Sequence, residues 1–141
     1  MILFPINEMI EHLKAEEGVK KFAYRCTNNK ITIGVGRNID ANGGIGLSES
    51  EIDFLLTNDI ERVLVEAKTF DWFTSLTQTR QVAIVSLIFQ LGLPRYKLFK
   101  KHIQAMSENN FTQAAAEILD SRFAKQVPAR SQRIAAMIER G

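Results

Sequence analysis

Glu17 is an acid at a position where the helical pattern of the chain calls for an apolar side chain. Ile6, Ile10 and Leu13 recur at spacings of four and three, which marks one face of an N-terminal helix. One more step of four reaches Glu17, and a glycine follows as a helix stop. This placement predicts a carboxyl group partly withdrawn from water, an environment that suits a general acid.

The segment after this helix changes to a two-residue period, which predicts a β-hairpin. Tyr24 and Cys26 alternate along the first strand, and Asn28-Asn29 is a turn that tolerates left-handed backbone geometry. Thr32 lies on the second strand. A thiol and a hydroxyl on a short sheet next to an acid are groups that can handle a water molecule in a hydrolysis.

The glycines of the second strand also have a predicted role. By alternation, Thr32 points away from Ile31 and Ile33 and shares its face with Gly34 and Gly36. Since glycine has no side chain, this face of the sheet would let a polymer approach closely.

Each of these residues has an ordinary structural explanation as well. Glu17 could be a solvated acid or half of an ion pair, and Glu16 is the inward acid if the helix is rotated by one residue. Cys26 shares a face with Phe22, which is typical of a small buried apolar residue. Thr32 is a β-branched residue in a strand, where such residues are common.

The elements that must position these groups follow from the rest of the pattern. Ser48-x-x-Glu51 is a capping box that opens a helix. The segment Thr77–Leu91 is apolar almost all round, which predicts a helix surrounded by protein at the centre of a larger lobe. Further helices are predicted at Arg95–Met106, Asn110–Leu119 and Pro128–Arg140, with Ser121–Gln126 joining the last two. We therefore predict one α+β domain, 1–141, with helix 7–17, a small β lobe at about 19–46, a helical lobe at about 48–141 and a cleft between the lobes.

Composition limits the classes of protein. The chain has 141 residues, of which 45% are hydrophobic and 24% charged, with a net charge of +2, as expected for a soluble globular protein. It holds a single cysteine, which excludes an internal disulfide and fits a reducing compartment. His12 and His102 are isolated, so no metal site is expected. The start of the chain lacks the basic and long apolar regions of a secretory signal, and no segment approaches the length of a membrane span.

The order of these residues resembles the phage-type lysozymes, the bacteriophage T4 lysozyme-like muramidases of glycoside hydrolase family 24. The family signature is a Glu, eight residues, an Asp or Cys, five residues and a Thr, which stands here as Glu17, Cys26 and Thr32. Further segments also resemble the family: Thr32-Ile33-Gly34-Val35-Gly36, Phe89-Gln90-Leu91-Gly92, Ser121-Arg122-Phe123 and Pro128-Ala129-Arg130-Ser131-Gln132-Arg133.

The resemblance implies a lysozyme-like fold and a role for each residue of the signature. Glu17 would be the acid and Thr32 would position the attacking water. Cys26 would act as a base towards water, as a nucleophile, or as a group that leaves space for water. The resemblance also implies that Arg130 pairs with Glu17 and that Arg133 faces Glu16.

Other positions are carried over from the same resemblance. Phe89, Asn38 and His102 fall where the family contacts its substrate, although only Phe89 keeps the family's residue type. Arg37 would pair with an acid on the first long helix, Asp59, in a structural role.

The implied function is that of an endolysin-type muramidase, which cleaves the β-1,4 bond between N-acetylmuramic acid and N-acetylglucosamine in bacterial peptidoglycan without a cofactor. Such an enzyme would bind glycan strands as a monomer, without nucleic acid or stable membrane insertion. It would be made in the host cytoplasm and act on the wall after release, lysing the host cell.

Three alternatives remain open. A lytic transglycosylase would use the acid without an attacking water, and a hydrolase built on Cys26 and a histidine fits the predicted elements less well. A non-catalytic module would bind peptidoglycan or nucleic acid through the basic residues of the C-terminal part, most of which are dispersed.

Overall fold

The computed structural model describes residues 3–141. Met1-Ile2, which belong to the segment predicted not to be a secretory signal, lie outside the described residues. The described chain is mostly helical with one small antiparallel sheet, which confirms the α+β, lysozyme-like fold. Its elements are α1 (Ile6–Glu17), β1 (Lys20–Arg25), β2 (Ile31–Gly34), β3 (Arg37–Asn38), α2 (Glu49–Ala67), α3 (Gln78–Leu91), α4 (Leu93–Tyr96), α5 (Lys100–Ser107), α6 (Phe111–Leu119), α7 (Arg122–Gln126) and α8 (Pro128–Arg140), with a 3-10 turn at Phe73–Ser75. The chain divides into two compact units, one ending at Asp53 and the other running from Phe54 to Gly141.

Helix α1 ends where the sequence predicted. Gly18 has a φ of 75°, and its N–H donates to the carbonyl of Lys14 at 2.9 Å, which closes the last turn. The helix begins at Ile6 after Pro5, one residue before the predicted start at Asn7.

The predicted burial of the α1 stripe is wrong. Ile6, Ile10 and Leu13 are 60%, 42% and 39% exposed. The strands beside this helix in the first unit are only six, four and two residues long, and so small a unit buries little of its surface. Among residues 3–53 the only buried residue is Thr32, which is polar.

The hairpin has the predicted turn, in a three-residue form. Asn29 N donates to Cys26 O at 2.8 Å and Cys26 N donates to Lys30 O at 3.0 Å. Asn29 has a φ of 59°, the left-handed geometry that asparagine tolerates. The short third strand, β3, pairs with β2 and makes β2 the centre of the sheet.

A capping box connects the sheet to α2 within the first unit. Glu51 N donates to Ser48 Oγ at 3.2 Å and Ser48 N donates to Glu51 Oε1 at 2.8 Å, as predicted. The same carboxylate accepts from Arg37 Nη1 at 3.0 Å, so the predicted pairing of Arg37 with Asp59 is wrong. Asp59 pairs instead with Arg62, one turn further along α2.

The core of the second unit lies around one side of α3. Ala83, Ile84, Leu87 and Ile88 of this helix belong to one buried cluster with apolar residues of α5, α6 and α8. The prediction of a helix enclosed on all sides is wrong, because Val82 of α3 is 58% exposed. The predicted helix Arg95–Met106 is divided into α4 and α5, since the backbone turns at Phe99.

Both ends of α8 are attached to α3. Near its start, Arg130 Nη2 donates to Ser86 Oγ at 3.1 Å. Near its end, Arg80 Nε donates to Ile138 O at 2.6 Å and Arg80 Nη2 donates to Glu139 O at 2.9 Å. A cation that binds the free carbonyls of a last helical turn is favourable for the charge distribution of the helix as well.

Candidate active site

The carbonyl of Lys30 brings Cys26 and Thr32 together. It accepts a hydrogen bond from Cys26 N at 3.0 Å and another from Thr32 Oγ1 at 2.9 Å. Because Thr32 is only 4% exposed and its hydroxyl proton has an assigned acceptor, the lone pairs of Oγ1 have a fixed direction. The thiol and the hydroxyl of the family signature are therefore neighbours at the turn end of the hairpin.

The environment of Cys26 favours its thiolate. Hydrogen bonds from the backbone at Lys30 and then Asn28 lower the pKa of the Cys26 thiol below its ordinary value of 9.0, and a smaller contribution comes from the Thr32 hydroxyl. The Thr32 hydroxyl has one proton. It can donate a hydrogen bond to the Cys26 thiolate only by giving up its hydrogen bond to the Lys30 carbonyl. The charges of the neighbouring lysine and arginine side chains are not among these contributions. Cys26 is half-buried and forms no disulfide. It is therefore not the small, fully buried apolar residue that its shared face with Phe22 suggested.

Strand register adds Tyr24 and Asn38 to this group. Tyr24 lies opposite Thr32 on one side, and Asn38 lies opposite it on the other. Directly opposed residues share a face of the sheet, so the three side chains form a row across the strands. Asn38 Oδ1 accepts from Asp40 N at 3.0 Å, which leaves the amide NH₂ of Asn38 for a ligand. The sequence did not single out Tyr24 as a site residue, although strand alternation placed it beside Cys26.

The carboxylate of Glu17 lies against the backbone of Gly36. A Cβ built on Gly36 would be 2.7 Å from Glu17 Oε2 and 3.0 Å from Glu17 Cδ. The missing side chain of Gly36 leaves room for the acid in this position, and its predicted role in letting a polymer approach the sheet stays a prediction. Glu17 itself is exposed, so the predicted partial burial of this residue is wrong. The reason is the same as for α1 as a whole, which has no buried residue.

Phe89 lies in an apolar groove of the second unit. The groove has a volume of about 550 Å³, and its walls include Leu56, Ile60 and Leu64 of α2 and Val82, Val85 and Phe89 of α3. Phe89 is 45% exposed. Its predicted contact with a sugar stays a prediction.

His102 is not a substrate contact. It is 1% exposed, with Nε2 at 2.8 Å from the hydroxyl of Tyr96 and Nδ1 at 2.9 Å from the carbonyl of Ala114. Because a carbonyl only accepts, Nδ1 carries the proton and Nε2 accepts from Tyr96. The prediction is wrong because His102 shares the inner side of α5 with Ala105 and Met106, a spacing of three and four that was visible in the sequence.

This buried histidine predicts a stability that depends on pH. Burial is the largest effect and lowers the pKa of His102 below its ordinary value of 6.5, against smaller opposing effects of the Ala114 bond and the Glu117 charge. As pH falls below 6.5, the unfolded chain takes up a proton at this residue and the folded chain does not, so the free energy of unfolding decreases. We expect a slope of at most about 1.4 kcal/mol per pH unit, ending where the folded form also protonates.

Urea denaturation on either side of this pH measures the effect. His102→Asn is expected to remove its part of the slope, whereas His12→Asn, a change at an exposed histidine, is expected to keep it. An unchanged slope in His102→Asn would contradict the assignment.

The supporting residues belong to different units. Glu16 and Glu17 are in the first unit, and Arg130 and Arg133 are in the second, so both predicted ion pairs stay predictions. Within the second unit, Arg130 is half-buried and held by Ser86, whereas Arg133 is exposed. Among residues 3–141 no three His, Cys, Asp or Glu side chains cluster as metal ligands, and no helix is long and apolar enough to cross a membrane.

Comparison with known proteins agrees with the signature. The sequence model of the phage lysozyme family, "Phage lysozyme", matches residues 14–140. The chain is 27% identical to "Probable T4-type lysozyme 2" of Dictyostelium discoideum over 163 aligned residues, covering 96% of each chain. It is 28% identical to "Endolysin" of Acyrthosiphon pisum secondary endosymbiont phage 1 over 110 aligned residues, covering 76% of this chain and 72% of that one. With nine-tenths of its length matched by the family and the acid, thiol and hydroxyl of the signature on one small unit, the chain belongs to the phage lysozymes and is a lysozyme-type glycoside hydrolase.

Proposed function

We propose that the chain is an endolysin-type muramidase that hydrolyses the β-1,4 bond between N-acetylmuramic acid and N-acetylglucosamine in bacterial peptidoglycan. The observation that carries this proposal is the shared Lys30 carbonyl, which holds Cys26 and Thr32 side by side on the unit that also presents Glu17. The relative named "Endolysin" supports lysis of a host cell as the biological outcome. The enzyme would act in this role without a cofactor, after release from the host cytoplasm.

Hydrolysis assigns one task to each group. The carboxylic acid of Glu17 donates its proton to the glycosidic oxygen as the bond to the sugar C1 breaks, and the leaving sugar departs with a free hydroxyl. A water molecule that donates to Thr32 Oγ1 attacks C1. The Cys26 thiolate accepts the second proton of this water, and proton exchange with solvent restores both groups. Arg130 would position the Glu17 carboxyl between turnovers.

The products test the reaction class. Digested sacculi are expected to carry new reducing ends at N-acetylmuramic acid, one for each bond cleaved, measured by mass spectrometry of the released fragments. Ends of the 1,6-anhydro type would show a lytic transglycosylase instead. Binding to sacculi without release of fragments would show a non-catalytic module.

A pair of substitutions tests the role of Cys26. Cys26→Ser keeps the size of the side chain but cannot form an anion near neutral pH, so we expect turnover to fall by roughly 10²-fold or more. Cys26→Asp supplies a carboxylate at the same position and is expected to keep most of the activity. Release of dyed fragments from sacculi measures the rate, and thermal denaturation checks that both variants are folded.

The pH dependence of these variants separates a base from a spacer. If the thiolate is required, activity of the unmodified enzyme falls as pH drops through the pKa of Cys26, which the backbone hydrogen bonds lower from 9.0. Cys26→Asp is expected to remain active to a lower pH, because a carboxylate loses its charge near pH 4. Full activity in Cys26→Ser would show that Cys26 only leaves space for water.

A further inference from the structure

A second pocket of the molecule has the composition of a sugar-binding site. It has a volume of about 540 Å³ and lies between the segment that joins α2 to α3 and the end of α5. All of its residues belong to the second unit, whereas Glu17, Cys26 and Thr32 belong to the first.

Trp72 forms the aromatic part of this pocket. Its ring stacks on Phe70, with centroids 5.0 Å apart and planes inclined by 26°, and Phe70 in turn meets the buried ring of Tyr96 edge-on at 5.6 Å. The indole is therefore held in place from the core side and yet is only half-buried. A rigid aromatic surface of this kind suits the apolar face of a pyranose ring, because the axial C–H bonds of the sugar pack on the ring and little side-chain entropy is lost.

Exposed polar groups stand beside the indole. Asp71, Ser75 and Asn109 line the pocket, and their side chains are open to solvent. Asn109 follows the end of α5 with a φ of 57°, a left-handed backbone geometry that asparagine tolerates. A carboxylate, a hydroxyl and an amide next to an aromatic ring can serve the hydroxyls and the N-acetyl group of an amino sugar.

The two remaining hydroxyls of the pocket have a fixed orientation. Thr69 Oγ1 donates to Glu66 O at 2.6 Å, and Ser107 Oγ donates to Gln104 O at 2.6 Å. Since each hydroxyl proton is used, both oxygens present lone pairs as acceptors. The pocket thus offers acceptors at set positions and a donor at Asn109.

From this arrangement we propose that the Trp72 pocket is a second saccharide site, which holds N-acetylated amino sugars of a glycan strand. The choice of sugar rests on the proposed function, because peptidoglycan strands consist of such residues. A polymer carries many copies of the same sugar, so one strand or its neighbour can occupy this pocket while another stretch is cleaved. Such a site would keep the enzyme on the wall between cleavages by raising the local concentration of substrate.

The test is a titration of the Glu17→Gln protein with N-acetylglucosamine trimer, because the strongly reduced turnover of that variant leaves the trimer intact during the measurement. Trp72 is the only tryptophan of the sequence, so the indole emission reports on this pocket alone. We expect a saturable change in emission and a shift of the indole N–H resonance with the same midpoint. Ser75→Ala and Asn109→Ala are each expected to weaken binding about threefold to tenfold, as for the loss of one hydrogen bond.

Thr74→Ala is the matched control, because Thr74 is an exposed neighbour of Ser75 that does not line the pocket. It is expected to leave binding unchanged, and equal weakening by Thr74→Ala and Ser75→Ala would overturn the proposal. An unresponsive indole at trimer concentrations that shift the amide resonance of Thr32 would also overturn it, while the proposed function would stand. If neither resonance responds and the unmodified protein releases no fragments from sacculi, both proposals fail.

Discussion

Glu17→Gln is expected to lower the rate of glycan hydrolysis by roughly 10²–10⁴-fold, the usual contribution of a general acid. Glutamine keeps the shape and hydrogen-bonding reach of the side chain but has no proton to give to the leaving oxygen. Since Glu17 is exposed and ends its helix, the fold should be unaffected by the change. The rate is measured by clearing of a sacculus suspension, and the thermal midpoint is compared with that of the unmodified protein.

Glu16→Gln is the natural control, because it removes a neighbouring exposed acid from the same helical turn. We expect at most a severalfold loss of rate there, corresponding to a surface ion pair. If Glu16→Gln abolished hydrolysis and Glu17→Gln did not, the helix would present the other acid and the assignment of the proton donor would be wrong.

Gly36→Ala is also expected to have a large effect, through displacement of the same carboxyl. The new Cβ would lie 2.7 Å from Glu17 Oε2, so the flexible end of Glu17 must move by a large fraction of an ångström. A misplacement of about 1 Å can cost about 10²-fold in turnover. The φ of +67° at Gly36 is also unfavourable for alanine, and we expect a loss of about 1–3 kcal/mol in the free energy of unfolding.

Gly34→Ala separates these two effects. Gly34 has nearly the same φ, +70°, but a Cβ there would meet nothing within 4 Å. This variant should therefore show a comparable loss of stability with its turnover number largely retained. Equal losses of turnover in the two variants would mean that backbone strain, and not contact with Glu17, is responsible.

The local features of the fold were predictable from the sequence. The capping box at Ser48 and Glu51, the left-handed Asn29 and the helix stop at Gly18 are each decided by one or two residues and their own backbone. Such features depend on short-range chemistry that any chain carrying these residues repeats. For the same reason the strand alternation correctly placed Thr32 on the other face of β2 from its apolar neighbours, Ile31 and Ile33.

Features that depend on distant partners were not predictable in the same way. Several acids could pair with Arg37 in a fold of this class. Only the structure shows that its partner is Glu51, the carboxylate of the capping box. An apolar stripe on α1 indicates an amphipathic helix but does not say how much of it is covered. His102 is the intermediate case, since its spacing from Ala105 and Met106 indicates burial whereas the family resemblance implies a contact with substrate.

The two attachments of α8 to α3 determine the orientation of the side chains that α8 carries on its surface. Ser86 and Arg80 lie on one helix and hold another near both of its ends, so α8 can neither rotate about its axis nor slide without losing one of these bonds. The directions in which Arg130 and Arg133 project from α8 therefore depend on residues of another helix, α3. A substitution at position 80 or 86 would change the directions of both guanidinium groups together. These two positions can therefore alter activity in an engineered or diverging relative without lying in the active site.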